Sequence, residues 1–501
     1  MPDKTYILGL DEGTTGARTV IFDAKGEIVG QAAREFTQIY PKPGWVEHDP
    51  MEILDTQLET LDQALKIENI SLDQVRGIGI TNQRETAVVW DRGTGKPIYN
   101  AIVWMSRQTA DIIEDWAAQG LNDEILQKTG LISDAYFSAS KIVWILDHVQ
   151  GARERAERGE LAAGTIDTWL IWHLTGGNHV TEPSNASRTM VYNIRENRWD
   201  EELCNKMGLP MAVLPEVLPS DGEFGSAKAK LGVDIPIRGN LGDQQAGLFG
   251  QACYTPGMAK NTFGTAGVFC MNSGSEVPVR EGLITSNAWQ VSEQSAYELE
   301  GVVYASGSTI QWLRDGAKLI HFAADSEWYG GMSPDTGGVY LVPAFTGLCA
   351  PYWDMYARGL IVGITRGTDR NDLIRAGLEA MAYQTKDIVE AVLKGGDITV
   401  PELRIDGGAV RNNMLCQFQA DILGIPVIRP KNAEATVTGV AYVAGLATGL
   451  WSNLEEVAGL WKADRTFEPK MSEDQRASLY QGWQAAVELS LGWAKKVGAA
   501  S

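Results

Sequence analysis

The sequence predicts an α/β protein built from two related domains that close on one cleft. Three observations carry this expectation. The chain has 501 residues, more than one hydrophobic core usually supports, so two domains of roughly 250 residues are the simplest division. Its start, Tyr6 to Phe22, sets two apolar runs, Tyr6 to Leu10 and Thr19 to Phe22, around a turn of glycines and threonines. A similar strand, Gly/Thr turn and strand recurs at Gly257 to Asn272.

The first hairpin has the composition of a phosphate-binding turn. Gly13 and Gly16 free the backbone for a tight turn whose amides approach an anion. Thr14 and Thr15 add hydroxyl donors, and Arg18 adds a forked charge suited to phosphate oxygens. Asp11 stands at the strand end, placed to hold Mg²⁺ through water, since magnesium keeps most of its hydration shell. Taken alone the segment is equally an ordinary β-hairpin. Its recurrence favours two domains that share a nucleotide.

In chain order, a third strand follows around Ile28 to Ala32, and Asp49-Pro50 starts a helix with Pro at its first position. Ile53, Leu54, Leu58, Leu61 and Leu65 repeat at helical spacing. Val75 to Thr81 is a glycine-bearing strand, and strand, helix and strand in succession indicate a largely parallel, doubly wound sheet. Thr86 to Trp90 is another strand. Helical patterns occupy 107–119, 138–149 and 165–175. The domain boundary falls near Gly250, giving 1–249 and 250–501. Beyond it, Val339 to Val342 and Leu403 to Ile405 are short buried strands, with helical patterns at 370–394, 412–423, 435–449 and 472–496.

Composition excludes several classes of function. A formal charge of −21 argues against nucleic acid and anionic membranes as partners. No apolar run reaches the roughly 18 residues of a membrane helix, and the N-terminus carries no signal peptide pattern. Cys204, Cys253, Cys270, Cys349 and Cys416 are scattered and form no CxxC pair. They read as free thiols in a reducing cytoplasm. There is no Gly-x-Gly-x-x-Gly fingerprint and no P-loop, so phosphate handling falls to the paired hairpins.

Four further stretches carry chemistry. Thr81-Asn-Gln-Arg-Glu-Thr86 follows a buried strand, where open α/β sheets face their ligand crevice. Arg84 and Glu85 are either a solvated ion pair or a donor and acceptor clamping a small polyhydroxy molecule. Trp104 is either core or the wall against that molecule's carbons. Asp243, in Gly239 to Ala246, is either a helix N-cap or a general base that takes a hydroxyl proton, with Gln244 orienting the same alcohol. Leu403 to Asn413 is a strand, a Gly407-Gly408 turn and a helix, read either as a plain βα turn or as a seat for a flat ring or phosphate.

Together these residues resemble the glycerol kinases, within the FGGY carbohydrate kinases of the actin-like ATPase superfamily, over almost the whole chain. The matching motifs are Gly9-Leu-Asp-Glu-Gly-Thr-Thr15 with Arg18, Thr81 to Thr86, Gly242-Asp-Gln-Gln245, Pro343 to Gly347 with Ala350 to Asp354, and Asp406 to Val410 with Asn412. The family signature fits at Tyr136 to His148, and a second nearly fits at Gly359 to Glu379. The resemblance implies two RNase H-like domains with an active-site cleft between them. It implies ATP-dependent phosphorylation of glycerol to sn-glycerol 3-phosphate in glycerol catabolism, with Mg²⁺. Arg84, Glu85, Trp104, Tyr136, Asp243, Gln244 and Val268 fall at the implied glycerol site. Thr14, Thr15, Gly16, Arg18, Thr265, Gly307, Gln311, Gly408 and Asn412 fall at the implied nucleotide site. Asp11 and Asp243 fall at the metal, and Asp243 and Arg18 carry the catalysis. A cytoplasmic homodimer or homotetramer is expected.

Two departures stand out. Gly264-Thr-Ala-Gly-Val268 replaces the family's usual Gly-Thr-Gly and following aromatic. Ala227 to Asp234 lacks the Gly-Gly-Thr-Arg loop through which some members bind fructose 1,6-bisphosphate. The histidine phosphorylated by a phosphocarrier protein in others is also lacking, so neither control is expected. The rival readings are a kinase for another small polyol or ketose, and an actin- or Hsp70-like switch ATPase that needs no polyol clamp.

Overall fold

A computed structural model describes residues 5–396 and 398–498. Its first sheet has six strands, in the order Gly225–Ser226, Pro236–Gly242, Val75–Asn82, Tyr6–Glu12, Gly16–Phe22 and Ile28–Glu35. Tyr6–Glu12 pairs antiparallel with Gly16–Phe22, setting Asp11 opposite Arg18, and parallel with Val75–Asn82. Pro236–Gly242 is also parallel to Val75–Asn82. The remaining interfaces are antiparallel. The sheet is therefore mixed, which corrects the largely parallel expectation. Short turns can only return a strand antiparallel, and parallel pairs arise where a crossover such as the helix Pro50–Ile67 intervenes. That helix is capped by Asp49, whose Oδ1 accepts from the Met51 N–H at 2.8 Å.

The second sheet repeats this centre. Ala259–Phe263 pairs antiparallel with Gly267–Gly274 and parallel with Leu403–Asp406. Around them the order is Ile284–Val291, Gln294–Val303, Gly267–Gly274, Ala259–Phe263, Leu403–Asp406, Val427–Pro430 and Ala463–Phe467. The first two of these strands have no counterpart in the expectation from sequence. Their buried positions include Ser286, Glu298 and Glu300, so no apolar alternation announces them. The 472–496 pattern also divides, into Glu473–Ser490 and Trp493–Lys496, because Gly492 turns left-handed at φ 61°. No helix among the described residues is long and apolar enough to cross a membrane.

The two halves interlock through one helix. Ala435–Ala447 is apolar nearly all round, as a helix buried on every side must be, and its Val437, Val440, Ala441 and Val443 are fully buried. It lies on the first sheet, although it comes from the second half of the chain. Glycines make the contact possible. A Cβ at Gly9 would meet the Val437 side chain, and at Gly79 or Gly239 the Val440 carbonyl. The helix Asp243–Gly250 crosses it backbone to backbone, and a Cβ at Gly439 would overlap the Ala246 carbonyl.

Because a close-packed interior yields little, Gly439→Ala should lower Tm by several degrees, the scale set by overpacking costs of about 1–3 kcal/mol. Gly459→Ala, in the helix Leu454–Leu460 with open space at its Cβ position, should leave Tm unchanged or slightly raised. Thermal unfolding of the two variants checks this.

Candidate active site

The first hairpin is braced from both sides. Its turn closes through the Gly13 N–H donating to Gly16 O at 3.0 Å. Arg18 Nη2 donates to Asp11 Oδ2 at 2.5 Å, and its Nη1 bonds Glu434, just ahead of the helix Ala435–Ala447. Gln83 ties the turn to the next strand end, with Nε2 donating to Gly13 O at 3.0 Å. The Trp104 indole N–H donates to Thr14 Oγ1 at 2.9 Å, while Thr15 is exposed. Thus the implied phosphate residues and the implied carbon wall meet at Thr14.

Arg84 and Glu85 are only 3% and 2% exposed, which removes the solvated-pair reading. Glu85 takes φ 61°, a left-handed backbone that a non-glycine residue holds only where its surroundings fix it. Arg84 Nε lies 3.1 Å from Asp243 Oδ1, and its Nη1 donates to Glu300 Oε2 at 2.6 Å and Gln245 Oε1 at 3.2 Å. Arg188 Nε donates to Glu85 Oε1 at 2.6 Å, and its Nη2 to Glu300 Oε1 at 2.9 Å. Burial and the charge on Glu300 push the Glu298 carboxyl up to about 7. The two arginines keep Glu300 below the usual carboxylate range despite its burial. Arg84 and Arg188 thus pair with Glu85 and Glu300, the condition under which buried ions are tolerated.

Asp243 is the first residue of its helix, with Gly242 as the N-cap. It accepts from the Gln244 N–H at 2.8 Å and faces Arg84. Burial raises its pKa, and Arg84 and Lys260 pull it back down. Lys260, itself buried, donates to Gln244 Oε1 at 2.6 Å and Thr262 Oγ1 at 2.8 Å. Tyr136 packs edge-on to Trp104 with ring centroids 5.5 Å apart, and the Arg188 guanidinium lies 5.5 Å from its ring. Its loop is knotted by Lys141, whose Nζ donates to the carbonyls of Ala135, Tyr136 and Phe137 at 2.6, 2.6 and 2.9 Å. Val268 shares a strand face with Cys270, whose sulfur lies near Glu298 and Glu300, whereas Phe269 points into the opposite core.

Among the described residues, Cys270, Glu298 and Glu300 form the one group spaced to hold a metal ion. Both oxygens of Glu300 accept from arginines there, which leaves neither for a cation, so the group is structural.

The second hairpin opens a cavity of about 620 Å³ that gathers Thr265, Gly307, Gln311, Gly408 and Asn412. The Gly307 N–H donates to Gly264 O at 2.8 Å, and a Cβ there would come 2.6 Å from that oxygen. Asn412 caps the helix Asn413–Leu423, accepting from the Leu415 N–H at 3.0 Å. A second cavity, about 660 Å³, runs from Gly408 and Arg411 to Arg18, Thr262 and Glu434. Both cavities share Gly408. The cavity of the second hairpin thus continues toward the arginine of the first hairpin.

Sequence reading missed Arg188, Glu298, Glu300 and Lys260. Arg188 stands outside any motif, and the two glutamates alternate as a solvated strand face does. Only Lys260, a charge inside an otherwise buried strand beside a Gly/Thr turn, left a usable signal.

Comparison with known proteins identifies the family. Residues 6–250 match the N-terminal domain, and residues 259–448 the C-terminal domain, of the FGGY family of carbohydrate kinases. The chain is 56% identical over 494 residues to a glycerol kinase of Carboxydothermus hydrogenoformans, covering 98% of this chain and 99% of that one. It is 54% identical to glycerol kinase 2 of Thermotoga maritima, covering 98% and 100%. In structure it matches the glycerol kinase of Plasmodium falciparum with ADP, at a TM-score of 0.92 and 35% identity, covering 98% and 99% of the two chains. Two mixed sheets, a repeated hairpin at the centre of each, and family matches along both halves lead to one conclusion: the chain belongs to the FGGY family of carbohydrate kinases.

Proposed function

We propose that this chain transfers the γ-phosphoryl group of ATP to a terminal hydroxyl of glycerol, giving sn-glycerol 3-phosphate for glycerol catabolism. The observation that carries the reading is the buried Arg84–Glu85 pair beside Asp243. It offers a small polyol a donor, an acceptor and a base in one place. Full-length relatives named glycerol kinase support the choice of substrate.

Asp243 takes the proton of the attacking hydroxyl as the new O–P bond forms and the β–γ bridging bond breaks, releasing ADP. Arg84 and Glu85 hold the other hydroxyls, Gln244 orients the alcohol, and Trp104, Tyr136 and Val268 flank the carbons. Thr14, Thr15, Gly16, Arg18 and Thr265 bind the phosphates. Gly307, Gln311, Gly408 and Asn412 seat the rest of the nucleotide. Asp11 and Asp243, hard oxygen donors, fit Mg²⁺ held through its water, which when bound neutralises phosphate charge. Closure over the cleft excludes water, the competing nucleophile.

The division into residues 1–249 and 250–501 belongs to the same proposal, and the repeated hairpin with its parallel neighbour supports it. So do a cytoplasmic location, favoured by five buried free thiols, and assembly as a homodimer or homotetramer. The segment 227–234 holds a short helix, Lys228–Leu231, closed by Gly232, and we propose that fructose 1,6-bisphosphate does not act there.

Three measurements test the reading. ATP turnover should depend strongly on glycerol in a panel of C3–C6 polyols; turnover indifferent to every polyol would make this a switch ATPase. Asp243→Asn should lower kcat by roughly 10²–10⁴, the usual contribution of a general base, with a much smaller change in glycerol KM. Near-normal turnover in the folded variant would remove the base assignment. Val268→Phe should tighten glycerol KM several-fold or narrow the range of accepted diols, since covering one or two methylenes is worth about 1 kcal/mol. Unchanged kinetics with glycerol and 1,2-propanediol would show that Val268 does not line the site.

A further inference from the structure

Glu300 lies in the strand Gln294–Val303, opposite Cys270 in register, and is fully buried. Its two oxygens serve two arginines, Oε2 accepting from Arg84 at 2.6 Å and Oε1 from Arg188 at 2.9 Å. Each guanidinium turns another edge to the site. Arg84 Nε faces Asp243 at 3.1 Å, and Arg188 Nε holds Glu85 at 2.6 Å. A carboxylate from the second half of the chain thus sets the orientation of two groups from the first half.

We propose that Glu300 is a positioning residue for the polyol. It fixes Arg84 directly and Glu85 through Arg188, and so governs how the site discriminates among polyols by their hydroxyls. The inference rests on the reading of this pocket as the polyol site.

The alternative geometry shows why such a tether is needed. Arg84 Nε is 3.8 Å from Glu85 Oε1. With Glu300 removed, only the longer 3.2 Å bond to Gln245 Oε1 holds the guanidinium back from closing on Glu85 and Asp243, the acceptors a hydroxyl would use. Glu298 is no substitute: it lies 3.9 Å from Arg84 Nη1, and its Oε1 already accepts from Ser286 Oγ at 3.1 Å. Arg188 Nη1 is buried without a hydrogen-bond partner, so this arginine also depends on its two carboxylates for orientation.

Glu300→Gln is the direct test. The amide keeps the shape but offers one oxygen for two guanidinium groups, and its NH₂ end confronts a donor. Glycerol KM should rise about ten- to hundred-fold, the scale of one charge-assisted hydrogen bond. ATP KM should change by less than about three-fold, since no contact of Glu300 reaches the nucleotide cavity. The kcat/KM preference for glycerol over 1,2-propanediol, which lacks one hydroxyl, should shrink. A preserved preference, or a lowered Tm with glycerol KM unchanged, would overturn the proposal. Should the single variant not fold, Arg188→Gln with Glu300→Gln removes one charge of each sign and leaves Arg84 balanced by Glu85. The same loss of preference is expected, and its absence there overturns the proposal equally. Wild-type protein in the same assay tests the parent reading separately. Without glycerol-dependent ADP formation that reading fails, and the variants are then compared on whichever polyol of the panel the wild type phosphorylates.

Discussion

The site depends on a charge cluster that the protein keeps out of water. Arg84, Arg188, Glu85 and Glu300 are each at most 3% exposed, and desolvating four ions is tolerated only because they pair two against two at hydrogen-bond distance. The pairing also crosses the chain. Glu300 comes from the second sheet, while the two arginines and Glu85 come from the first half. Recognition and the approach of the halves are therefore one electrostatic problem. A displacement of either half would leave a buried charge without its partner.

The backbone around this cluster is arranged to permit it. Gly242 precedes Asp243 because a Cβ there would meet the Arg84 side chain at 2.7 Å. Glu182 caps the short helix Pro183–Ala186, accepting from the Asn185 N–H at 2.7 Å, and Ser184 Oγ in turn accepts from the Gly242 N–H at 2.9 Å. Asp243 is thus set by a hydrogen-bonded chain that begins in a different element. Tyr136 is set in the same way, by a buried lysine that gathers three carbonyls of its own loop. Rigid support of this kind is what a positioning catalyst requires, because phosphoryl transfer asks for orientation and charge stabilisation more than covalent chemistry.

The two cavities beside the hairpins are built on different physics. Beside ion pairs at their edge they use turns without side chains: Gly264, Gly307, Gly407 and Gly408 bring the backbone to the cavity surface. Gly407 adopts φ 91°, and a Cβ there would come 2.5 Å from Phe263 O. The two hairpins differ in their partners. The first is held by Arg18 between Asp11 and Glu434, and the second by carbonyls of Gly264 and Thr265 that receive amides of the following helix turn.

The sequence by itself determined the parts whose chemistry is local. Both Gly/Thr hairpins, the Asp49-capped helix, the Thr81–Thr86 run and the Gly407–Gly408 turn are readable because glycine, capping residues and apolar periodicity act over a few residues. Five scattered residues that the family resemblance implied, Thr265, Gly307, Gln311, Gly408 and Asn412, line one cavity. Tertiary structure decided everything that depends on a distant partner. Whether Arg84 and Glu85 were solvated or buried, and whether Asp243 capped its helix or faced a guanidinium, turned on residues more than 100 positions away. The strand carrying Glu298 and Glu300 was illegible for the same reason. A buried charge resembles a surface charge until its counter-ion is known, and Arg84 and Arg188 reach Glu300 only when two separate sheets have come together.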